Sequence, residues 1–236
     1  MIVVDTLRDV TAALDHRLSH ASPHEIAREA IRSVPPKRIA VASSFGIESA
    51  ALLCLIADID RDVPILFLDT GWLFPETLAY RDTLVERLGL RDVRVIEPAA
   101  QTVANVDPAG DLWARDPVAC CNLRKVEPLA SALAGFAAWI NGRKRYHGGA
   151  RANIPAVELD GERLKFNPLA RARREEIDAL FERTGLPRHP LQEAGFASVG
   201  CAPCTSRLRP GEPMRAGRWR GRAKTECGIH ALVQGG

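Results

Sequence analysis

The sequence predicts an α/β protein: a mostly parallel sheet with helices on both faces, followed by an irregular C-terminal extension. Three observations point there. Short apolar segments at 38–43, 64–69 and 92–97 are bounded by Pro, Gly and Asp, the pattern of buried strands. Segments at 49–59 and 75–88, long enough for helices, lie between them, and such alternation implies parallel strands with helical crossovers. After Pro187 the texture changes, and residues 187–236 are rich in Pro, Gly, Arg and Cys with little periodicity. The expected division is an α/β unit over 1–186, opened by a helical segment, and an extension over 187–236 that closes on the site.

Each element has a local reason. Residues 1–33 are expected to be helical, and Ser22-Pro23-His24-Glu25 is a helix start, with Ser as cap, Pro in the first position and Glu in the third. Pro35-Pro36 ends that segment. Arg38 to Ser43 is the first strand, leading through Ser44-Phe-Gly-Ile-Glu48 into an apolar helix from Ser49 to Ile59. Pro64 to Asp69 is the second strand; the turn Thr70-Gly71 precedes a helix from about Pro75 to Leu88, stopped by Gly89. A third strand covers 92–97. Glu127 to Leu133 continues as helix and Phe136 to Asn141 as strand. Val157 to Phe166 forms a hairpin about Asp160-Gly161, and Arg173 to Thr184 an amphipathic helix ended by Gly185.

Composition narrows the function classes. The chain has 236 residues, 46% hydrophobic and 26% charged, an ordinary globular balance. A net charge of +3 with 6% aromatics argues against nucleic acid as the partner. The N-terminus has no basic region before an apolar stretch, and the longest nearly apolar run, Ser49 to Ala57, is too short to span a bilayer. A cytoplasmic protein with no membrane partner is expected. The local charge says more. Between Arg207 and Lys224 lie seven basic residues and one acid, Glu212, a run that suits either an anionic ligand or solvent.

Two strand ends carry polar turns. Ser43-Ser44-Phe45-Gly46-Ile47-Glu48-Ser49 joins a strand to a helix, where free backbone N–H groups and small residues suit an anion. It has no Lys and no Walker A spacing, which excludes that mode of triphosphate binding. Leu68-Asp69-Thr70-Gly71 repeats the geometry on the next strand, and ligands of open α/β sheets gather at strand carboxyl ends.

There are six cysteines. In a reducing compartment they point to metal binding or catalysis rather than disulfides. Cys54, in the apolar helix, is expected to be a buried small hydrophobe. Cys120-Cys121 and Cys201-Ala-Pro-Cys204 together make a four-thiolate set of the kind used by zinc and by iron–sulfur clusters, and Cys201 with Cys204 could also be a thiol–disulfide pair. Adjacent cysteines diverge, which suits a cubane with separate irons better than one tetrahedral ion. Cys227 stands apart, with Lys224 and His230 three residues either side and Arg218, Arg220 and Arg222 upstream. Positive neighbours favour a thiolate, hence a nucleophile toward an anionic electrophile.

Taken together these segments resemble the assimilatory adenylylsulfate (APS) reductases, the iron–sulfur branch of the APS/PAPS reductase family. The resemblance rests on Ser43–Ser49, Leu68–Thr77, Arg115–Leu129, Trp139–Gly142, Gly200–Thr205, Arg215–Trp219 and Lys224-Thr-Glu-Cys-Gly-Ile-His230, in family order across 38–230. It implies a nucleotide α-hydrolase-like fold related to the ATP pyrophosphatases. It implies a [4Fe-4S] cluster on Cys120, Cys121, Cys201 and Cys204, Cys227 as nucleophile, and Lys125, Arg215, Arg218 and His230 beside the phosphosulfate. Ser43, Ser44, Phe45, Gly46, Ser49, Leu68, Asp69, Thr70, Arg124 and Arg145 would hold the nucleotide. APS, thioredoxin or a similar dithiol donor, and a homo-oligomeric partner copy follow as expectations. One stretch departs from the family: Arg143-Lys-Arg-Tyr-His147 replaces a hydrophobic residue followed by Arg-Arg-Asp-Gln. PAPS reduction, alone or alongside APS, and a non-catalytic nucleotide- or metal-binding role are the competing readings.

Overall fold

The computed structural model describes residues 2–230. Its centre is a six-stranded sheet in the order β3-β2-β1-β4-β6-β5. The strands are β1 (Ile39–Ser43), β2 (Ile65–Leu68), β3 (Val93–Ile96), β4 (Ala138–Asn141), β5 (Val157–Asp160) and β6 (Arg163–Phe166). All neighbours are parallel except β5 and β6, the hairpin about Gly161.

Alternation along the strands builds two faces. Ile39 and Val41, Ile65 and Phe67, and Ala138 and Ile140 point into one core, while Ala40, Leu66 and Trp139 point into the other. The larger core is covered by α2 (Pro23–Arg32), α3 (Ser49–Ile59), α4 (Pro75–Leu88) and α9 (Arg174–Thr184). The thinner face is covered by α8 (Glu127–Ala132), through Leu129 and the adjoining Leu133. β1, β2 and β4 are therefore apolar apart from the terminal Ser43 and Asn141, whereas edge strand β3 carries exposed Arg94 and Val95.

Local signals act as their chemistry dictates. Ser22 caps α2 in a reciprocal box with Glu25, and Gly89 and Gly185 end α4 and α9 in the left-handed conformation. The helix α1 (Ile2–Arg17) is tied to the β5 edge by Asp15, whose Oδ1 accepts from the Ala156 and Val157 amides at 2.7 and 3.1 Å. Three short helices between β3 and β4 had no expectation behind them: α5 (Ala100–Val106), α6 (Leu112–Arg115) and α7 (Pro117–Cys121). A π turn, Asn122–Val126, links α7 to α8. Among the described residues no helix is long and apolar enough to cross a membrane.

The sheet grows from β1 toward β3, then resumes on the other side of β1 with β4. The crevice at the carboxyl ends of β1 and β4 is thus the topological switch point, where open α/β sheets bind ligands. Residues of the extension up to 230 lie over it. His189 anchors their start on α4 through Thr77 Oγ1 (3.1 Å), and Tyr80 donates to the Pro187 carbonyl at 2.8 Å. Leu191, on the short α10 (Pro190–Glu193), joins Val199, Ile47, Phe74 and Phe196 in a small cluster over the β1 turn.

Candidate active site

A cavity of about 190 Å³ opens at this switch point. The β1 turn supplies Ser43, Ser44, Gly46, Glu48 and Ser49 to its wall, and β2 supplies Leu66 and Leu68. Gly46 sits in a tight spot, where a Cβ would come within 3.3 Å of Ser44 Oγ and 3.4 Å of Val199. Gly142 to Lys144, just beyond β4, line the opposite side. The extension closes the cavity with Arg215, Arg218, Glu226, Cys227 and His230. The wall carries six cations (Lys125, Arg143, Lys144, Arg151, Arg215, Arg218) against two carboxylates, so it suits an anion; Leu66, Leu68 and Ile229 give it an apolar part.

The two carboxylates are internally paired. Glu48 Oε2 lies 3.0 Å from both Lys144 Nζ and His147 Nε2. Burial opposes its charge, but these two neighbours prevail and hold the carboxyl far below the usual range. His147 Nδ1 faces Arg151 Nη1 at 3.2 Å, so Nδ1 accepts and Nε2–H donates to Glu48. Glu226 takes Arg151 in a fork, at 2.5 Å from Nε and 2.8 Å from Nη2, and Arg215 Nη2 at 3.2 Å. Burial raises the Glu226 carboxyl and the arginines more than offset it, leaving its pKa lowered.

Glu226 immediately precedes Cys227, so this fork holds the nucleophile candidate in the wall. The following residues are held too. Ile229 packs against Trp139 and its neighbours, and the His230 ring stacks on Trp139 with centroids 5.9 Å apart. Lys165 Nζ donates to the His230 carbonyl at 3.0 Å, from 4.9 Å above the Trp139 ring. Burial brings Lys165 down to about 7 and keeps His230 neutral, its pKa well below the ordinary value.

Beside this cavity lies a smaller one, lined by Cys120, Cys121, Cys201 and Cys204. Asp116 starts α7 by accepting from the Val118 and Ala119 amides, both at 2.9 Å, and the helix ends on the cysteine pair. Cys201 is brought in by its bridge to Leu73 and by the Ala202 amide, which donates to the Trp72 carbonyl at 2.7 Å. Its Sγ is 3.2 Å from Thr70 Oγ1. Burial pushes Cys120 up to about 11 and also raises Cys121 and Cys204. Cys201 is lowered: burial acts against it, but Lys125, Thr70 and Arg218 outweigh burial. Lys125 and Trp219 line both cavities. Buried Lys125 is held charged by Cys201, Cys227 and Cys121 despite its desolvation.

The cysteine cavity also collects buried donors without partners: Trp72 Nε1, Arg124 Nε and Trp219 Nε1. Such groups cost stability unless something accepts from them, and sulfur-rich metal groups do. Among the described residues no three His, Cys, Asp or Glu side chains converge tightly enough for a single metal ion. Four thiols around one cavity, without a common point, fit a group with several metal atoms.

The structure redistributes several expected nucleotide contacts. Phe45 has positive φ (46°), which turns its ring into the core, edge-on to Phe67 at 5.3 Å. Asp69 closes its own turn by accepting from the Gly71 amide at 2.9 Å. Thr70 serves Cys201. Arg124 faces the cysteine cavity, held by Asp107 at 2.7 Å and the Thr70 carbonyl at 2.9 Å. Arg145 braces a loop, donating to the Ile154 carbonyl at 2.8 Å. None of these five lines the larger cavity. In their place stand Glu48, Arg143, Lys144, His147, Arg151 and Glu226, to which the sequence reading gave no role. Position was the available signal: Arg143 to His147 follow the strand beside β1, and Glu226 adjoins Cys227.

A model of the phosphoadenosine phosphosulfate reductase domain matches residues 38–207. The chain belongs to this family. An adenosine 5'-phosphosulfate reductase of Mesorhizobium japonicum is 47% identical over 93% of this chain and 86% of its own. One from Streptomyces coelicolor is 41% identical over 96% and 95%, and a phosphoadenosine 5'-phosphosulfate reductase of Gloeobacter violaceus is 40% identical over 89% of each. A PAPS reductase structure from Candida auris superposes with a TM-score of 0.70 at 23% identity, covering 84% of this chain and 96% of that one. At that identity the likeness concerns the fold, which family members and this chain share.

Proposed function

We propose that the chain reduces adenylylsulfate to sulfite and AMP through an S-sulfocysteine on Cys227, with a thioredoxin-like dithiol as reductant. The observation that carries this is the position of Cys227. It stands in the wall of a cationic cavity at the switch point, in a chain whose relatives at 41–47% identity are adenosine 5'-phosphosulfate reductases. The apolar part formed by Leu66, Leu68 and Ile229 suits a base, and the cations suit the phosphosulfate.

In the first step the Cys227 thiolate attacks the sulfur of the phosphosulfate. The sulfur–oxygen bond to phosphate breaks, and AMP leaves with the electron pair. Lys125, Arg215 and Arg218 face the charge that grows on the bridging oxygen, and fixed cations in a closed wall need no reorganisation. His230, neutral under the docked tail, can still donate a hydrogen bond. In the second step a donor thiolate attacks Cys227 Sγ, sulfite leaves, and a mixed disulfide forms. The donor's second thiol resolves it, so the donor ends as a disulfide and Cys227 as a thiol. Because the donor must reach Cys227, the Glu226–Arg151 fork has to open between the steps.

Cys120, Cys121, Cys201 and Cys204 would hold a [4Fe-4S] cluster, supported by the shared cavity and its unpartnered donors. When bound, it would supply net negative charge near Lys125, because four thiolates outweigh the charge of the iron–sulfide core, and so would help keep that lysine protonated. Lys125 itself lines both cavities, close to Cys201 and Cys227.

The test is anaerobic sulfite release with reduced thioredoxin, comparing APS and PAPS at matched concentrations. Strong preference for APS is expected. Turnover mainly of PAPS would overturn the substrate, and turnover of neither by iron-replete protein would overturn the enzyme reading.

A further inference from the structure

We infer that the indole N–H of Trp72 donates a hydrogen bond to sulfur of the group held by Cys120, Cys121, Cys201 and Cys204. The inference rests on the proposal that these cysteines hold an iron–sulfur cluster.

Trp72 sits on the turn after β2, and its backbone joins the sheet to the C-x-x-C segment. Its amide donates to Thr70 Oγ1 at 3.2 Å, its carbonyl accepts from Ala202, and the next residue, Leu73, pairs with Cys201. Its ring is clamped. The Arg124 guanidinium lies 5.5 Å from the ring centroid, and Arg124 is itself fixed by Asp107 and the Thr70 carbonyl. The benzene edge rests near Gly110, where even a Cβ would come within 3.4 Å of Cζ2. A ring held on two sides cannot turn its N–H elsewhere at little cost.

That N–H is fully buried and has no partner among the described residues. The side chains lining the cysteine cavity alongside Trp72 are Trp, Pro, Arg, Lys and Cys. No carboxylate, amide or hydroxyl is among them, so sulfur is the acceptor their side chains offer. A donor aimed at cluster sulfur favours the more negative, reduced form and tunes potential through the surrounding shell rather than the ligands. Trp72 is thus a positioning and tuning residue for the cluster, separate from the four ligands.

The experiment uses the full chain, purified anaerobically, in three forms: the parent, Trp72→Phe, and the parent with 3-benzothienylalanine at position 72. The last keeps the indole shape with sulfur in place of the N–H. Iron and acid-labile sulfide are counted, Fe–S stretching bands are recorded by resonance Raman in H₂O and D₂O, and bleaching in air is timed. Both altered chains should retain iron, lose part of the deuterium-induced shift, and bleach several-fold faster. Parent-like isotope shifts and bleaching in both would overturn the inference. So would a change confined to Trp72→Phe, which would assign the effect to ring packing. A parent chain without iron and labile sulfide would instead bring down the cluster reading, and this inference with it.

Discussion

The larger cavity has six cations and two carboxylates in its wall, whereas the cysteine cavity has two cations, four thiols and no carboxylate. They share Lys125 and Trp219 yet manage charge differently. In the larger one, Glu48 and Glu226 already occupy Lys144, Arg151 and Arg215. An incoming phosphosulfate has to share those cations with Glu226, whose neighbour is Cys227. Substrate binding and tail position are therefore coupled by the same arginines. In the smaller cavity, negative charge can come only from thiolates, and burial raises three of the four. Four thiolates gathered there, three of them buried, would need a cationic centre among them. On the proposed reading, one cavity exchanges an anion and the other keeps a metal group.

Four experiments test that contrast. Cys227→Ser should cut sulfite release by on the order of 10⁴-fold while leaving equilibrium APS binding almost unchanged, because it removes only the bond-forming atom. Normal turnover by this variant would end the mechanism. Cys201→Ser should leave the chain with less than about half its iron, since each ligand carries a share of the site; full iron content would break the assignment of the smaller cavity.

Glu226→Gln comes next. Removing a largely buried charge partner costs about 2 kcal/mol, or roughly thirtyfold in tail docking. The variant should form S-sulfocysteine more slowly in single turnover, and a protease should cut the 211–228 segment sooner. The pH dependence has a definite sign. The folded Glu226 pKa lies below its ordinary value, so the fork contributes fully above that value, 4.5, and is lost as pH falls below it. Docking that strengthens on acidification would contradict the fork.

The smallest effect concerns the anchor of the extension. His189 Nδ1 accepts from the Leu191 amide at 3.2 Å, and burial lowers its pKa to about 4 from 6.5. Between those values the unfolded chain binds the proton and the folded chain does not, so stability falls as pH drops from about 6.5 to about 4 and then levels. Urea unfolding across that range should show the slope, and His189→Gln should flatten it.

Much of this was legible beforehand. Strand–helix alternation predicts the parallel sheet because central strands buried on both faces are apolar along their length, as β2 is and as β1 and β4 are up to their last residues, Ser43 and Asn141. Ser22 to Glu25 and Asp160-Gly161 act locally, so their turns follow from their own chemistry. The helices from α5 to α7 escaped because α5 buries no residue and α6 only Leu112, leaving no apolar period to detect. Asp116-Pro117, a sound cap, was the one cue for α7.

The sequence by itself determined the fold class and singled out the four cysteines and Cys227 as candidates, because each depends on residue type and local spacing. Tertiary structure alone decided which polar residues meet. Arg124 left the nucleotide side because the π turn and Asp107 carry it to the cysteines. Phe45 went to the core because its backbone turns left-handed. Glu48 met Lys144 and His147 because β4 lies beside β1 in the sheet, and Arg151 met Glu226, 75 residues along the chain, because the tail folds back across that edge. Such pairings depend on strand order and chain return, and no local pattern encodes either.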